Sequence, residues 1–169
     1  MYGTITYVCL HFIYKQKRML SNYEIKPNKG LGELEFGMEM DQFIDAFGKP
    51  EEIDSFDDDE ELNTTVLHYW TQGFSIFFVG LVTQILAGIE TDHPETTLYG
   101  EKIMNLTEDG IVELMKNNGH THYEVEIEEE KDRRLSYDYS MIDFFFRDGK
   151  LVYMNFGVLV DEQGNIETV

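Results

Sequence analysis

Few residues of this chain have the types and spacing that chemistry demands. His120 and His122 are two apart, so on a strand both imidazoles face one side, a spacing that suits a metal ion. No third ligand is fixed by the sequence, and a pair of surface histidines at a helix end is the simpler reading. The run Glu51-Glu-Ile-Asp-Ser-Phe-Asp-Asp-Asp-Glu-Glu61 gathers carboxylates as a calcium loop does. It lacks the glycine at loop position six and the closing glutamate of an EF-hand, so it reads as a solvated acidic loop. No Gly-x-Ser-x-Gly elbow, His-Glu-x-x-His helix, P-loop or dinucleotide fingerprint occurs. Carboxylates are so numerous that pairing two of them as acid and base has no content without geometry.

The chemistry that remains is recognition. The chain carries 33 acidic and 13 basic residues, a formal charge of −20. A field of that sign repels phosphate backbones and anionic membranes and speeds encounter with a basic protein. We therefore expect a protein partner of basic character, with no nucleic acid, membrane, cofactor or metal. His68, Trp70 and Phe77 sit at strand positions of one parity, as do Asp138, Phe145 and Tyr153. Aromatic residues on an otherwise polar face are typical interface anchors. With Asp57, Asp58 and Asp59 as an acidic rim, these nine residues are the candidate protein-binding set. The competing reading is that Trp70 is covered by a loop, by the N-terminal strand or by a second copy of the chain.

The elements that would position them begin with residues 30–50. Met40, Phe43, Ile44 and Phe47 form an i, i+3, i+4, i+7 stripe on one helical face, and Gly48 and Pro50 stop the helix. A second helix is expected over 107–117 with Thr107 as N-cap. Strands are expected over 65–69, 74–79 and 84–90, and again over 135–139, 142–147 and 151–158, with a hairpin at Asp148-Gly149. Asp92-His-Pro-Glu-Thr96 reads as the linker between the halves.

An offset of 68 relates the halves, from Gly32/Gly100 through Asp41/Asp109, Phe43/Ile111 and Phe47/Met115 to Leu67/Leu135, Tyr69/Tyr137, Ile76/Phe144 and Phe78/Phe146. Past the Asp148 hairpin an offset of 69 is expected, aligning Ile85/Met154, Gly88/Gly157 and Ile89/Val158. Register across helix and strands points to an internal duplication. The parity of Leu67, Tyr69, Ile76, Phe78, Ile85, Ala87 and Ile89 is then the buried one. The open face carries His68, Trp70, Ser75, Phe77, Gln84 and Leu86 in one half and Ser136, Asp138, Asp143, Phe145, Arg147, Tyr153 and Asn155 in the other.

The fold class is α+β: two tandem repeats of a helix followed by an antiparallel β-meander, with both helices packed on one face of a curved sheet. Residues 1–22 are an N-terminal extension, 23–92 the first repeat and 93–169 the second, in one compact duplicated domain. Residues 1–14 read as a strand, because their apolar run is too short to span a bilayer and its basic residues follow it rather than precede it. Alternatively Met19 is the natural start. With one cysteine, Cys9, no internal disulfide forms, and a cytoplasmic location is expected.

The residues Phe36-Gly37-Met38, Phe43-Ile44 and Phe47-Gly48-Lys49-Pro50, echoed by Leu106-Thr107, Ile111-Val112 and Leu114-Met115, carry a resemblance. The pattern resembles the repeat of the β-lactamase inhibitory protein family and of the small outer-membrane-assembly lipoproteins, and is similar to that of some bacterial immunity-type proteins. The resemblance implies a non-enzymatic module that presents a sheet face to another protein. The second copy departs from the pattern by lacking the Gly-Met and the Gly-x-Pro. The alternatives are a small-molecule-binding protein or enzyme with a pocket between the repeats, and a homodimer or larger homo-oligomer whose open face is its own interface.

Overall fold

A computed structural model describes residues 18–56, 62–127, 132–161 and 163–167. The strand expected over 1–14 and the rim residues Asp57, Asp58 and Asp59 lie outside these. The protein is α+β and mostly antiparallel sheet. Among the described residues two short α-helices, α1 (Met40–Phe47) and α2 (Glu108–Asn117), each precede four strands of one large sheet. The first four are β4 (Glu52–Phe56), β5 (Asn63–Tyr69), β6 (Phe74–Gly80) and β7 (Ile85–Thr91). The second four are β10 (Glu124–Ile127), β11 (Arg133–Tyr137), β12 (Ile142–Arg147) and β13 (Lys150–Gly157). All eight form one sheet in the order β10-β11-β12-β13-β7-β6-β5-β4, so the halves meet where β13 pairs with β7.

The expectation of one sheet is corrected by a second. Five short strands, β1 (Glu24–Lys26), β2 (Gly30–Leu31), β3 (Leu34–Glu35), β8 (Thr97–Leu98) and β9 (Glu101–Lys102), are ordered β3-β2-β1-β8-β9. Two-residue strands leave no measurable period in a sequence, so patterning cannot reveal them. Ile25, Leu31, Leu34 and Leu98 are buried in the same core cluster as the helix residues Phe43, Phe47, Ile111 and Met115. The small sheet and the two helices therefore cover one face of the large sheet together.

That face is built as the periodicity dictates. Phe43 stacks on Phe47 at 4.8 Å between ring centroids and meets Tyr69 and Phe78 edge-on at 5.5 and 5.6 Å. Leu67, Ile76, Phe78, Leu135, Tyr137, Phe144 and Phe146 are all buried in the cluster. Thr107 caps α2 by accepting from the Gly110 N–H at 3.2 Å. Arg133 grips Glu108 at that helix start through two hydrogen bonds of 2.8 and 3.0 Å, tying α2 to β11.

Register bulges change three strand assignments. A shift between Phe77 and Phe78 pairs Phe77 with Gly88 but Phe78 with Leu86. Leu86, expected on the open face, is therefore fully buried, while Ala87 turns to the opposite side, where it lines a cleft. A matching shift between Phe145 and Phe146 pairs Phe146 with Leu151 and brings Leu151 into the core. Bulges place two residues against one and reverse the facing of the residues beyond them. The ladder pairs Ile76 with Ile89 and Phe144 with Met154, so in these ladders it is Ile89, and not Ile85, that stands where Met154 stands. The residue expected to be inserted at Asp148 is not there: the first hairpin loop runs from Leu81 to Gln84, the second is only Asp148-Gly149, and β12 is one residue shorter than β6.

Two further expectations are corrected. Residues 52–56, read as part of an acidic loop, form β4 on the edge of the sheet. Trp70 and Asp138 are not strand residues: each opens a short 3-10 turn, Trp70–Gln72 and Asp138–Ser140.

Candidate functional site

The face of the large sheet turned away from the helices carries a continuous line of polar side chains. Cross-strand pairing runs Glu52–His68–Ser75–Glu90–Asn155–Asp143–Ser136–Glu124, one residue from each of the eight strands. Directly opposed residues in a ladder point to the same side, so this line is a single row. At its centre Glu90 faces Asn155. With the Asn155 amide turned to satisfy both groups, its nitrogen donates to Glu90 Oε2 at 3.1 Å and to the Met154 carbonyl at 3.2 Å. Burial pushes the Glu90 carboxyl above its ordinary range, the nearby His68 opposes that, and Asp92 adds to it.

To one side of the row, His68 bridges Ser75 and Asp54. Its Nδ1 lies 2.9 Å from Ser75 Oγ and its Nε2 lies 3.1 Å from Asp54 Oδ2. This is the composition of a nucleophile–base–acid relay. Sequence patterning offers no hint of it, because β4 has to form before Asp54 can reach His68. The surroundings do not complete it. Ser75 is only 4 % exposed, and β6 is paired along both edges, with β5 and with β7, so its amides are taken up by the ladders rather than offered to an oxyanion. On the other side, Ser136 Oγ lies between two carboxylates, 3.1 Å from Asp138 Oδ1 and in a closer contact with Asp143 Oδ1.

Two clefts open on this face. The larger, about 490 Å³, lies over the seam where Gly88 pairs with Gly157. Phe77, Val79 and Met141 wall it, and Asp138, Asp143 and Asn155 line the second half's side. The smaller, about 280 Å³, is lined by Trp70, Ser75, Glu90, Asp92, Arg147 and Tyr153. The candidate residues are thus divided. Trp70 and Tyr153 share the small cleft, with His68 stacked beside Trp70 at 5.2 Å. Phe77 and Asp138 share the large one.

Trp70 is 58 % exposed, and a turn rather than strand parity puts it there. Phe145 is only 8 % exposed, because the Tyr153 ring stacks on it at 4.3 Å with 10° between planes. Tyr139, 83 % exposed on the turn after Asp138, was missed by sequence reasoning, since strand parity says nothing about a 3-10 turn. The edge strands β4 and β10 also overhang the core, exposing Ile53, Phe56, Val125 and Ile127.

His120 and His122 do not form a metal pair: His120 Nε2 meets the Tyr99 hydroxyl at 2.7 Å while His122 is exposed. Among the described residues, no group of three His, Cys, Asp or Glu side chains is placed to hold a metal ion. No helix of the described residues is long and apolar enough to cross a membrane.

No protein-family model matches the chain, and no curated protein matches it. Among solved structures it is similar to an extracellular protein containing a SCP domain from Bacillus anthracis str. Ames, at 12 % identity and a TM-score of 0.42. The match covers 72 % of this chain and 43 % of that one, so the chain spans less than half the length of that protein.

Proposed function

We propose that the chain is a non-enzymatic protein-binding module, of inhibitor or immunity type, that presents the outer face of its large sheet to a basic protein in the cytoplasm. The observation that carries this reading is the eight-residue polar row, four of whose members are carboxylates, flanked by the exposed Trp70. Acids steer a basic partner, and a large aromatic beside them supplies the desolvated anchor. The net charge of −20 supports the same sign of partner.

The module reads as an internal duplication in which the register changes at the hairpin. The Gly37 N–H donates to the Leu86 carbonyl at 2.8 Å and the Asn105 N–H to the Leu151 carbonyl at 3.1 Å. The Met38 and Leu106 carbonyls in turn accept from the Leu86 and Leu151 amides at 2.8 and 2.9 Å. These contacts relate the helix side at an offset of 68 and the hairpin side at 65.

The test is affinity capture from the native host, followed by titration of the purified partner. A partner of basic charge should bind, with affinity that falls with salt and falls at least ten-fold in Trp70→Ala. Absence of a basic partner, or binding indifferent to Trp70→Ala and to salt, overturns the reading. A hydrolytic reading has one observation in its favour, the Asp54–His68–Ser75 relay. Covalent labelling of Ser75 by a fluorophosphonate, lost in Ser75→Ala, would establish it in place of the binding module.

A further inference from the structure

The cleft over the Gly88/Gly157 seam has a chemistry that the partner's charge alone does not specify. Sheet faces are normally filled by their own side chains. Here the two residues at the seam, paired across β7 and β13, have none. Close approach requires the glycine at 157 and crowds the one at 88. A Cβ on Gly157 would lie 2.6 Å from the Ala87 carbonyl oxygen, and one on Gly88 would lie 3.3 Å from the Phe77 side chain. The result is a cleft of about 490 Å³ with Phe77, Val79 and Met141 as its apolar side-chain walls.

Its polar lining is Thr64, Ser136, Asp138, Asp143 and Asn155, and every charged group among these is a carboxylate. Asp138 and Asp143 converge on Ser136 Oγ, which has a single proton to offer two carboxylates. The described residues that line the cleft include no Lys, Arg or His. One carboxylate is therefore left without a donor from Ser136, beside a cleft whose other walls are mostly apolar. Met141, on the same wall, is held in the left-handed backbone region at φ 53°. Non-glycine residues in that region concentrate at ligand sites.

We infer that the seam cleft is a binding site for an organic cation on an apolar stem, supplied by the basic partner as an arginine side chain whose guanidinium bridges Asp138 and Asp143. A planar guanidinium offers paired donors that match two carboxylates, and its methylene stem suits the apolar walls. An anionic or neutral ligand of the same shape would leave the carboxylates opposed or unsatisfied. This inference rests on the protein-binding reading above.

The experiment titrates the full chain, isotopically labelled, with octylguanidinium below its micellar concentration, and separately with octanol and octanoate. Octylguanidinium should give saturable amide shifts at Ala87, Gly88, Met141 and Gly157. The Asp138→Asn/Asp143→Asn variant should weaken it at least ten-fold while leaving any octanol response unchanged. Thr64→Phe, which places a ring in the cleft from β5, should abolish the shifts in a protein whose spectrum is otherwise folded. No saturable shift at the seam, or equal responses to octylguanidinium and octanoate, overturns the inference. The captured partner separates this site from the wider reading. If the partner binds Asp138→Asn/Asp143→Asn as it binds the wild type but loses affinity for Trp70→Ala, the seam site is wrong and the module stands. If octylguanidinium behaves as expected and no basic protein is captured, the cation site stands and the module falls.

Discussion

Glu90 and Asn155 oppose one another at the point where the two halves of the large sheet join, and the residues around them pair reciprocally. Thr91 meets Met154 on one side and Ile89 meets Phe156 on the other. The polar centre of the outer face is thus built from one acid and one amide rather than from two acids. Two carboxylates in directly opposed positions would repel, so the asparagine lets the row close across the seam.

The raised Glu90 carboxyl makes a signed prediction. A group whose folded pKa lies above its unfolded value contributes stability below the unfolded value, and that contribution is lost as pH rises through the folded one. Ionised Glu90 therefore costs stability at neutral pH, chiefly because burial disfavours the charge. Glu90→Gln should unfold at higher denaturant than wild type at pH 7, and the two should converge as pH falls below about 4.3, the ordinary glutamate value. Chemical denaturation at the two pH values checks it. A difference that persists or grows in acid contradicts it.

Met141 supplies a backbone test. It occupies the left-handed region at the end of a 3-10 turn, where Gly73 ends the corresponding turn in the first half at φ 68°. An L side chain there costs roughly 1–2 kcal/mol. Replacing Met141 by Gly and by Ala removes the same side-chain packing beyond Cβ. The Gly variant should be the more stable by about 1 kcal/mol, the reverse of the order found in helices. Equal stabilities would mean the turn has relaxed.

Tyr69 and Tyr137 hold matching core positions, but only the first has a hydrogen-bond acceptor that the sequence pattern provides. The Tyr69 hydroxyl donates to the Gly48 carbonyl at 2.7 Å, the end of the Gly-x-Pro stop. The second half lacks that stop, and the buried Tyr137 hydroxyl has no partner among the described residues. Tyr69→Phe should cost about 1 kcal/mol, while Tyr137→Phe should be neutral or stabilising, since removing an unsatisfied buried hydroxyl relieves its desolvation. Burial, with a contribution from Tyr123, also raises the Tyr137 hydroxyl to about 12. Its contribution is present below the ordinary tyrosine value near 10 and is lost as pH rises through 12, so Tyr137→Phe should lose less stability than wild type over that window.

What the sequence made legible was whatever depends on period. The stripe Met40, Phe43, Ile44, Phe47 and the alternation through Leu67, Tyr69, Ile76 and Phe78 describe surfaces that had to be buried, and they are in or against the core. What it hid depends on breaks in period. One bulge puts Leu86 in the core and the buried Ala87 against the cleft, and no residue type announces it. Asn105 adopts the left-handed φ of 67° that Gly37 adopts at 90° in the first half. Before α2, where the sequence has no Gly-Met, a residue that tolerates that region stands instead, and a search for glycines passes over it. The site suffered most, because its row needs β4 and both bulges to be in place before its members align.

The seam gives the last prediction, through two glycines that pair with each other yet should respond differently to the same change. Both have ordinary φ, so the issue is space alone. A methyl on Gly157 would stand 2.6 Å from the carbonyl oxygen of Ala87, which already accepts from the Val158 N–H at 2.9 Å, so the contact is with backbone that two strands hold in place. Relief requires β13 and β7 to separate, and overpacking of this kind typically costs 1–3 kcal/mol, here about 2 or more. A methyl on Gly88 would stand 3.3 Å from the Phe77 side chain, whose ring is half-buried and borders the open cleft. That ring has somewhere to go. Gly88→Ala should therefore change stability by less than about 1 kcal/mol while narrowing the cleft, and Gly157→Ala should destabilise clearly. Equilibrium unfolding of the two variants decides it. Equal and large losses would mean that Phe77 is locked, and that the cleft cannot adjust to whatever it binds.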